Sequence, residues 1–205
     1  MLDRQLLGLF KQPTDALAGR LLKRGVSADQ VTFAGFAIGL GAAVLIGFGF
    51  TLAAIAPLLL SRLFDGLDGA MARLSQTTDR GAFLDISLDF IFYAMIPVGF
   101  VLLAPDENAV AGVLLLAAFT GTGTTFLAYA AIAEKRGLKS TAYPMKSFYY
   151  IGGLTEGAET IACFVLMCLW PSHFATIATI YAALCLVTTL TRIVSGYQLF
   201  GTTKS

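Results

Sequence analysis

Charged residues are scarce in this chain. Lysine, arginine, aspartate and glutamate make up 13% of its 205 residues, whereas 57% are hydrophobic. A soluble domain ordinarily carries about 25% charged residues. The formal net charge of +1 also gives no excess of basic residues for binding nucleic acid. The composition therefore excludes an ordinary water-soluble domain and favours a protein embedded in a membrane.

Residues that bind soft metals or form disulfides are also few. The chain has one histidine, His173, and three cysteines, Cys163, Cys168 and Cys185, which lie in apolar runs without metal-ligand spacing. We expect the cysteines to face core or lipid and His173 to be solvated in an outer loop. The first residues lack the continuous apolar core and cleavage site of a secretory signal peptide. The apolar runs themselves are therefore expected to direct membrane insertion.

Apolar runs recur along the whole chain, and most approach or exceed the ~20 residues that a helix needs to cross a bilayer. We therefore predict an all-α integral membrane protein with six transmembrane helices, near residues 31–50, 51–72, 81–104, 108–133, 157–171 and 174–200. The fifth run reaches full length only if its helix begins around Gly152. No linker or repeat divides the chain, so residues 1–205 are expected to form one domain, with the bundle in 27–205.

Basic residues are concentrated in alternate connections between the predicted spans. They are Arg4, Lys11, Arg20, Lys23, Arg24, Arg73, Arg80, Lys135, Arg136, Lys139, Lys146 and Lys204. Lysine and arginine near span ends mark the cytoplasmic side, so both termini are predicted to be cytoplasmic, in the inner membrane of the cell. Residues 1–26 combine leucines with basic residues and are expected to form an amphipathic helix in the membrane interface.

Four aspartates fall inside the second and third predicted spans. Asp65 and Asp68 are three residues apart, and Asp85 and Asp89 are four apart, so each pair lies on one face of its helix. The short connection between these spans makes them antiparallel neighbours, which brings the four acids together. A charge inside a bilayer costs from about 3 to over 10 kcal/mol, so this cluster needs cations. Ligand sets made only of oxygen select hard cations, and we predict two Mg²⁺ ions, with Mn²⁺ as a substitute.

A purely structural alternative is that Asp65 and Asp68 form buried ion pairs with Arg62 and Arg73. Two arginines cannot neutralise four acids, however. The glycines beside these acids are costly inside a helix unless something bulky approaches the backbone. We therefore favour phosphoryl-type transfer, in which metal ions hold a phosphate and Arg73 binds phosphate.

This segment resembles the signature of the CDP-alcohol phosphotransferases, D-x-x-D-G-x-x-A-R followed after a spacer by G-x-x-x-D-x-x-x-D. All eight fixed positions occur in order, as Asp65, Asp68, Gly69, Ala72, Arg73, Gly81, Asp85 and Asp89. The seven-residue spacer is one residue shorter than the family pattern. The resemblance implies six spans after a cytoplasmic amphipathic helix, a homodimer, and transfer of a phosphatidyl-type group from a CDP-linked lipid, such as CDP-diacylglycerol, to an alcohol with release of CMP.

The resemblance also assigns roles to residues. It implies that all four aspartates bind the metal ions and that Asp89 acts in addition as general base toward the acceptor hydroxyl. The expected nucleotide contacts are Asp29, Thr32, Gly69, Ala72, Arg73, Thr78 and Gly81. Family members often carry Pro-Asn followed by Thr before the first span. Here Thr32 fits, and Asp29 replaces the asparagine unless it only caps a helix.

The acceptor alcohol and two competing functions stay open. Glu156 and Glu159 begin the fifth predicted span, where they could receive the ammonium of an amino alcohol or a polyol, or simply cap the helix. Arg192 is the basic residue that lies well inside the last three spans. Intramembrane carboxylates are also used by membrane prenyltransferases, whose chains are longer and differently spaced, and by cation transporters. The glycines and Arg73 favour the phosphotransferase, because a nucleotide diphosphate needs access to the backbone.

Overall fold

The structure is a computed structural model that describes residues 2–138 and 155–201, with side chains described from Gln12 onward. These residues form seven α-helices and no strand. The helices are α1 (Leu2–Lys23), α2 (Ala28–Gly47), α3 (Thr51–Leu74), α4 (Asp79–Leu103), α5 (Pro105–Lys135), α6 (Gly157–Leu169) and α7 (Phe174–Gly201), and a 3₁₀ turn (Pro171–His173) precedes α7. The predicted all-α class is confirmed.

Four of the six predicted spans are long and apolar enough to cross a bilayer, namely α2, α4, α5 and α7 with its 3₁₀ turn. The second predicted span coincides with α3, but the first 18 residues of α3 include Arg62, Asp65 and Asp68. The fifth corresponds to α6, whose 13 residues extend ~20 Å at 1.5 Å per residue. Its predicted start near Gly152 lies outside the described residues.

Several residues behind the topology prediction also lie outside the described part of the chain. These are Lys139, Lys146 and Lys204, and the side chains of Arg4 and Lys11 are not described either. The exposed position of His173 agrees with its predicted solvated role, and the three cysteines are buried, as expected for residues facing the core.

Glycines in α2 allow this helix to pack closely against both α3 and α4. A Cβ atom at Gly35 would lie 2.7 Å from the Cβ of Phe64, and one at Gly39 would lie 2.6 Å from Cδ2 of Phe92. Such short separations do not occur between real side chains, so both positions require glycine. Gly41 differs, because a Cβ there would meet nothing within 4 Å. The α2 helix thus fixes the positions of the two helices that carry the aspartates.

The amphipathic segment α1 packs against α3 and α6. Ala18 is fully buried and belongs to a cluster with Val31 of α2 and with Leu67, Ala70 and Met71 of α3. This cluster surrounds the turn of α3 that carries Asp68. The α1 helix therefore supports the aspartate-bearing part of α3 from the side.

The other end of the bundle is filled by packed side chains. Phe100 of α4 stacks on Phe174 of α7 with ring centroids 4.7 Å apart, and both rings are fully buried. The side-chain amide of Asn108 in α5 donates to the carbonyl oxygen of Phe100 at 2.7 Å. These contacts join α4, α5 and α7 at the end remote from the aspartates.

Candidate active site

Residues 75–78 form the whole connection between α3 and α4. The remaining three residues of the seven-residue spacer belong to the helices. Thr78 caps α4, because its hydroxyl oxygen accepts a hydrogen bond from the backbone N–H of Gly81 at 3.1 Å. Contrary to the expectation of close neighbours, α3 and α4 each pack mainly against α2. The space between α3 and α4 is where the candidate site lies.

Three helices contribute side chains to one cavity. Its lining consists of Thr32, Gly35 and Phe36 from α2, Ser61, Arg62, Asp65 and Asp68 from α3, and Asp85, Leu88 and Asp89 from α4. The four aspartates therefore face a common space, as their spacing indicates. Their binding of metal ions stays a prediction.

Asp68 is the most enclosed of the four acids. Its residue is 5% exposed, and its Oδ2 atom is buried without a hydrogen-bond partner. The hydroxyl of Thr32 donates to the carbonyl of Ala28 at 3.1 Å, and Thr32 lines the same cavity as Asp68. A buried polar atom without a partner is costly. An oxygen in this state suits a bound cation.

The donor set of the cavity fits a hard divalent cation, since it consists of carboxylate oxygens and one hydroxyl. Even so, no three acidic, histidine or cysteine side chains among the described residues stand close enough to enclose one ion. Arg62 lies between Asp89 and Asp65 and contacts both carboxylates. The carboxylates are together but are not arranged around a single point.

Arg62 is a member of the cavity that the family signature does not contain. Its Nη1 bonds Oδ1 of Asp89 and lies 3.7 Å from Oδ1 of Asp65. Its guanidinium carbon stands 3.9 Å from the centre of the Phe92 ring, a cation–π arrangement. The ion-pair alternative holds only in part, because Arg62 contacts Asp65, whose side chain is 41% exposed, but bonds Asp89 more closely.

The predicted nucleotide contacts are divided between the cavity and its surroundings. Thr32 lines the cavity, whereas Asp29 is paired with Arg80, with 2.6 Å between Oδ2 and Nη2. The N-cap of α2 is Ser27, whose side chain accepts from the N–H of Gln30. The capping interpretation of Asp29 is therefore wrong, and this residue joins the start of α2 to the start of α4.

The remaining predicted nucleotide contacts lie outside the cavity lining. They are Gly69, Ala72, Arg73, Thr78 and Gly81. A Cβ at Gly69 would meet Nη1 of Arg73 at 3.3 Å, whereas one at Gly66 would meet nothing within 4 Å. Arg73 forms no ion pair with a described acid, so its guanidinium group folds back over Gly69 without being neutralised there. The backbone at Gly66 is thus open to a ligand, whereas the backbone at Gly69 is covered by the end of the Arg73 side chain.

A second polar group lies where α6 and α7 meet. Glu156 is the N-cap residue of α6, as the capping interpretation predicts, but its side chain makes no capping hydrogen bond, and the residue is 6% exposed. Thr160 of α6 and Tyr181 of α7 are hydrogen-bonded through their hydroxyls at 2.7 Å. Arg192 is 8% exposed and donates from Nη1 to the carbonyl of Thr122 in α5 at 3.0 Å.

Apolar helices around a carboxylate-lined cavity define an integral membrane protein with a candidate site for a divalent cation. The CDP-alcohol phosphatidyltransferase family matches residues 26–191, and the chain belongs to this family. It is therefore a transferase of this kind, and phosphatidyl transfer from a CDP-linked lipid in phospholipid synthesis is the activity that the family supports. The chain is 54% identical over 197 residues to the inner membrane protein YnjF of Escherichia coli (strain K12), and the match covers 96% of each protein.

Solved structures show the same fold. Phosphatidylinositol phosphate synthase (PgsA1) of Mycobacterium tuberculosis with bound CDP-DAG is similar at a TM-score of 0.72 and 24% identity, covering 90% of this chain and 93% of that one. The same synthase in complex with manganese and citrate is similar at a TM-score of 0.70 and 24% identity, covering 90% and 88%.

Proposed function

We propose that this protein transfers a phosphatidyl-type group from a CDP-linked lipid, such as CDP-diacylglycerol, to an alcohol and releases CMP. The observation that carries the proposal is the single cavity that collects Thr32 and the four signature aspartates from α2, α3 and α4. CDP-DAG and manganese in structures of similar fold support a CDP-linked donor and a divalent ion.

In this proposal Asp65, Asp68, Asp85 and Asp89 hold two Mg²⁺ ions, for which Mn²⁺ can substitute. When bound, such ions neutralise charge on the diphosphate and on the departing CMP. Asp68 lines the cavity, and its Oδ2, which has no hydrogen-bond partner, is an oxygen that a bound cation could use. The backbone at Gly69 and Gly81, with Arg73, Ala72, Thr78, Asp29 and Thr32 around it, receives the CDP group.

Asp89 is the proposed general base. Its carboxylate lies in the cavity lining, where it can take the proton of the acceptor hydroxyl. The acceptor oxygen then attacks the lipid-proximal phosphorus, a P–O bond forms, and the bond to CMP breaks.

The wider arrangement is proposed from the sequence and the family. The protein has six spans, with α3 and α6 as the second and fifth, after an interfacial α1, and it forms a homodimer in the inner membrane. The basic connections place both termini and the cavity toward the cytoplasm. The acceptor is therefore a cytosolic or interfacial alcohol. The buried Glu156 favours an amino alcohol or a polyol, and the buried Arg192 leaves a phosphorylated alcohol to be tested beside them.

The test is CMP release by purified protein in detergent with CDP-diacylglycerol, Mg²⁺ and a panel of acceptors. The panel contains glycerol 3-phosphate, inositol, inositol phosphate, serine, choline and ethanolamine, each with and without chelator. Asp85→Asn serves as the site variant, and Asp79→Asn, at the exposed start of α4, serves as the matched control. Chelator-sensitive CMP release with one acceptor, lost in Asp85→Asn and kept in Asp79→Asn, is expected. Absence of both CMP release and CDP binding would contradict the proposal.

A further inference from the structure

Arg62 lies at the place where a cation shared by α3 and α4 would have to lie. Its Nη1 contacts Oδ1 of Asp89 on α4 and is 3.7 Å from Oδ1 of Asp65 on α3. A metal ion bound by these two carboxylates would need the same space between them. The guanidinium group therefore occupies one cation position of the cavity.

This arginine is held by more than its ion pairs. Phe92, which is fully buried, lies under the guanidinium group at 3.9 Å, and Nε donates to the hydroxyl oxygen of Ser61 at 3.4 Å. Ser61 is itself fully buried and donates to the carbonyl of Leu58 at 2.8 Å. The Phe92 ring contacts the face of the guanidinium group and Ser61 contacts one edge, which together fix its plane. Arg62 is therefore an ordered part of the cavity.

Formal charges indicate how many divalent ions the cavity accepts. Four carboxylates and Arg62 together carry a charge of −3, from four negative groups and one positive group. One divalent ion reduces this to −1, whereas two would leave +1 beside apolar helices, where unbalanced charge is costly although Asp65 and Asp85 are accessible to solvent. A diphosphate brings about two negative charges, which makes the second ion favourable.

We propose that Arg62 keeps the place of one divalent ion until the CDP-linked substrate arrives, so that the substrate-free protein binds a single divalent ion and the second enters together with the diphosphate. The inference rests on the proposed function, since it takes the four aspartates as the metal ligands. The first ion is assigned to Asp68 and Asp85, which Arg62 does not contact. Arg62 is then a positioning residue that acts through Asp89 and Asp65.

The experiment counts Mn²⁺ ions bound to the purified full chain in detergent by the loss of the free-ion signal in electron paramagnetic resonance. Wild-type protein is expected to bind one ion without nucleotide and two in the presence of CDP. Arg62→Met, which removes the charge, is expected to bind two ions without CDP. Arg62→Lys, which keeps it, is expected to bind one.

Two ions in the wild-type protein without CDP, or an unchanged single ion in the presence of CDP, would overturn the inference, and neither result needs a variant to fold. A single ion in monodisperse Arg62→Met would also overturn it. Phe92→Leu offers a second route, because loss of the ring loosens Arg62 and is expected to tighten binding of the second ion. Absence of Mn²⁺ binding in every sample would instead refute the proposed metal site itself, so the two failures are distinguishable.

Discussion

Replacing Gly39 by alanine is expected to destabilise the protein although alanine is the better helix former. The added Cβ would lie 2.6 and 2.9 Å from two ring atoms of Phe92 and 3.3 Å from the Cβ of Ser61. Carbon atoms pack at about 3.5–4.0 Å, so the ring must move by ~1 Å. The ring is fully buried and has little space for this shift. Overpacking of this kind costs about 1–3 kcal/mol.

Gly41→Ala provides the matched control on the same helix. A Cβ at position 41 meets nothing within 4 Å, so this variant keeps the gain in helix propensity of about 1 kcal/mol without the clash. Since the propensity gain is common to both variants, the difference between them isolates the packing cost. We expect Gly39→Ala to be less stable than Gly41→Ala by about 1–3 kcal/mol.

The assay is reversible unfolding of the detergent-solubilised variants with SDS, followed by fluorescence. CMP release adds a second readout, because a displaced Phe92 also moves Arg62 and hence Asp89. Gly39→Ala should lose activity at temperatures where it is still folded, and Gly41→Ala should keep it. Equal unfolding free energies for the two variants would refute the argument that the contact between Gly39 and Phe92 is tight.

Two further variants separate the roles in the site. Asp89→Asn should abolish CMP release while leaving CDP-lipid binding largely in place, because the other carboxylates still hold metal. An equal loss of CMP release and of CDP-lipid binding would refute Asp89 as the base. Gly69→Leu should weaken CDP binding by bulk with little change in thermal stability, since the nearest atom to its Cβ is the flexible end of Arg73 at 3.3 Å. Unchanged CDP affinity would rule out close approach of the nucleotide at Gly69.

The sequence predicted the part of the site that depends on helix periodicity. Spacings of three and four residues place each aspartate pair on one face, and a short connection limits where the next helix can lie. A second family pattern, Pro-Asn followed by Thr, pointed to Thr32, which the structure places in the same cavity. Helix periodicity therefore predicted that the acids face a common space, whereas the expected close packing of α3 against α4 was wrong, because both helices pack mainly against α2.

Contacts between distant residues were not accessible in this way. The partner of Arg62 is Asp89, 27 residues further along the chain, and periodicity pointed instead to the acid three residues away on the same helix. The pairing of Asp29 with Arg80 likewise depends on how α2 and α4 meet. Composition predicted α3 as a span, yet the charges that make the site also weaken the apolar character of that helix.

Packing at the end of the bundle remote from the aspartates limits where a ligand can pass. There Phe100 stacks on Phe174, and Asn108 is hydrogen-bonded to the carbonyl of Phe100. A transporter that works by alternating access must be able to open at each end of its helix bundle in turn. Here one end is closed by the buried rings of Phe100 and Phe174 and by the hydrogen bond from the Asn108 side chain. This packing leaves the end of the bundle that carries the carboxylate cavity as the expected route for ligands, which suits a transferase better than a carrier that opens to both sides.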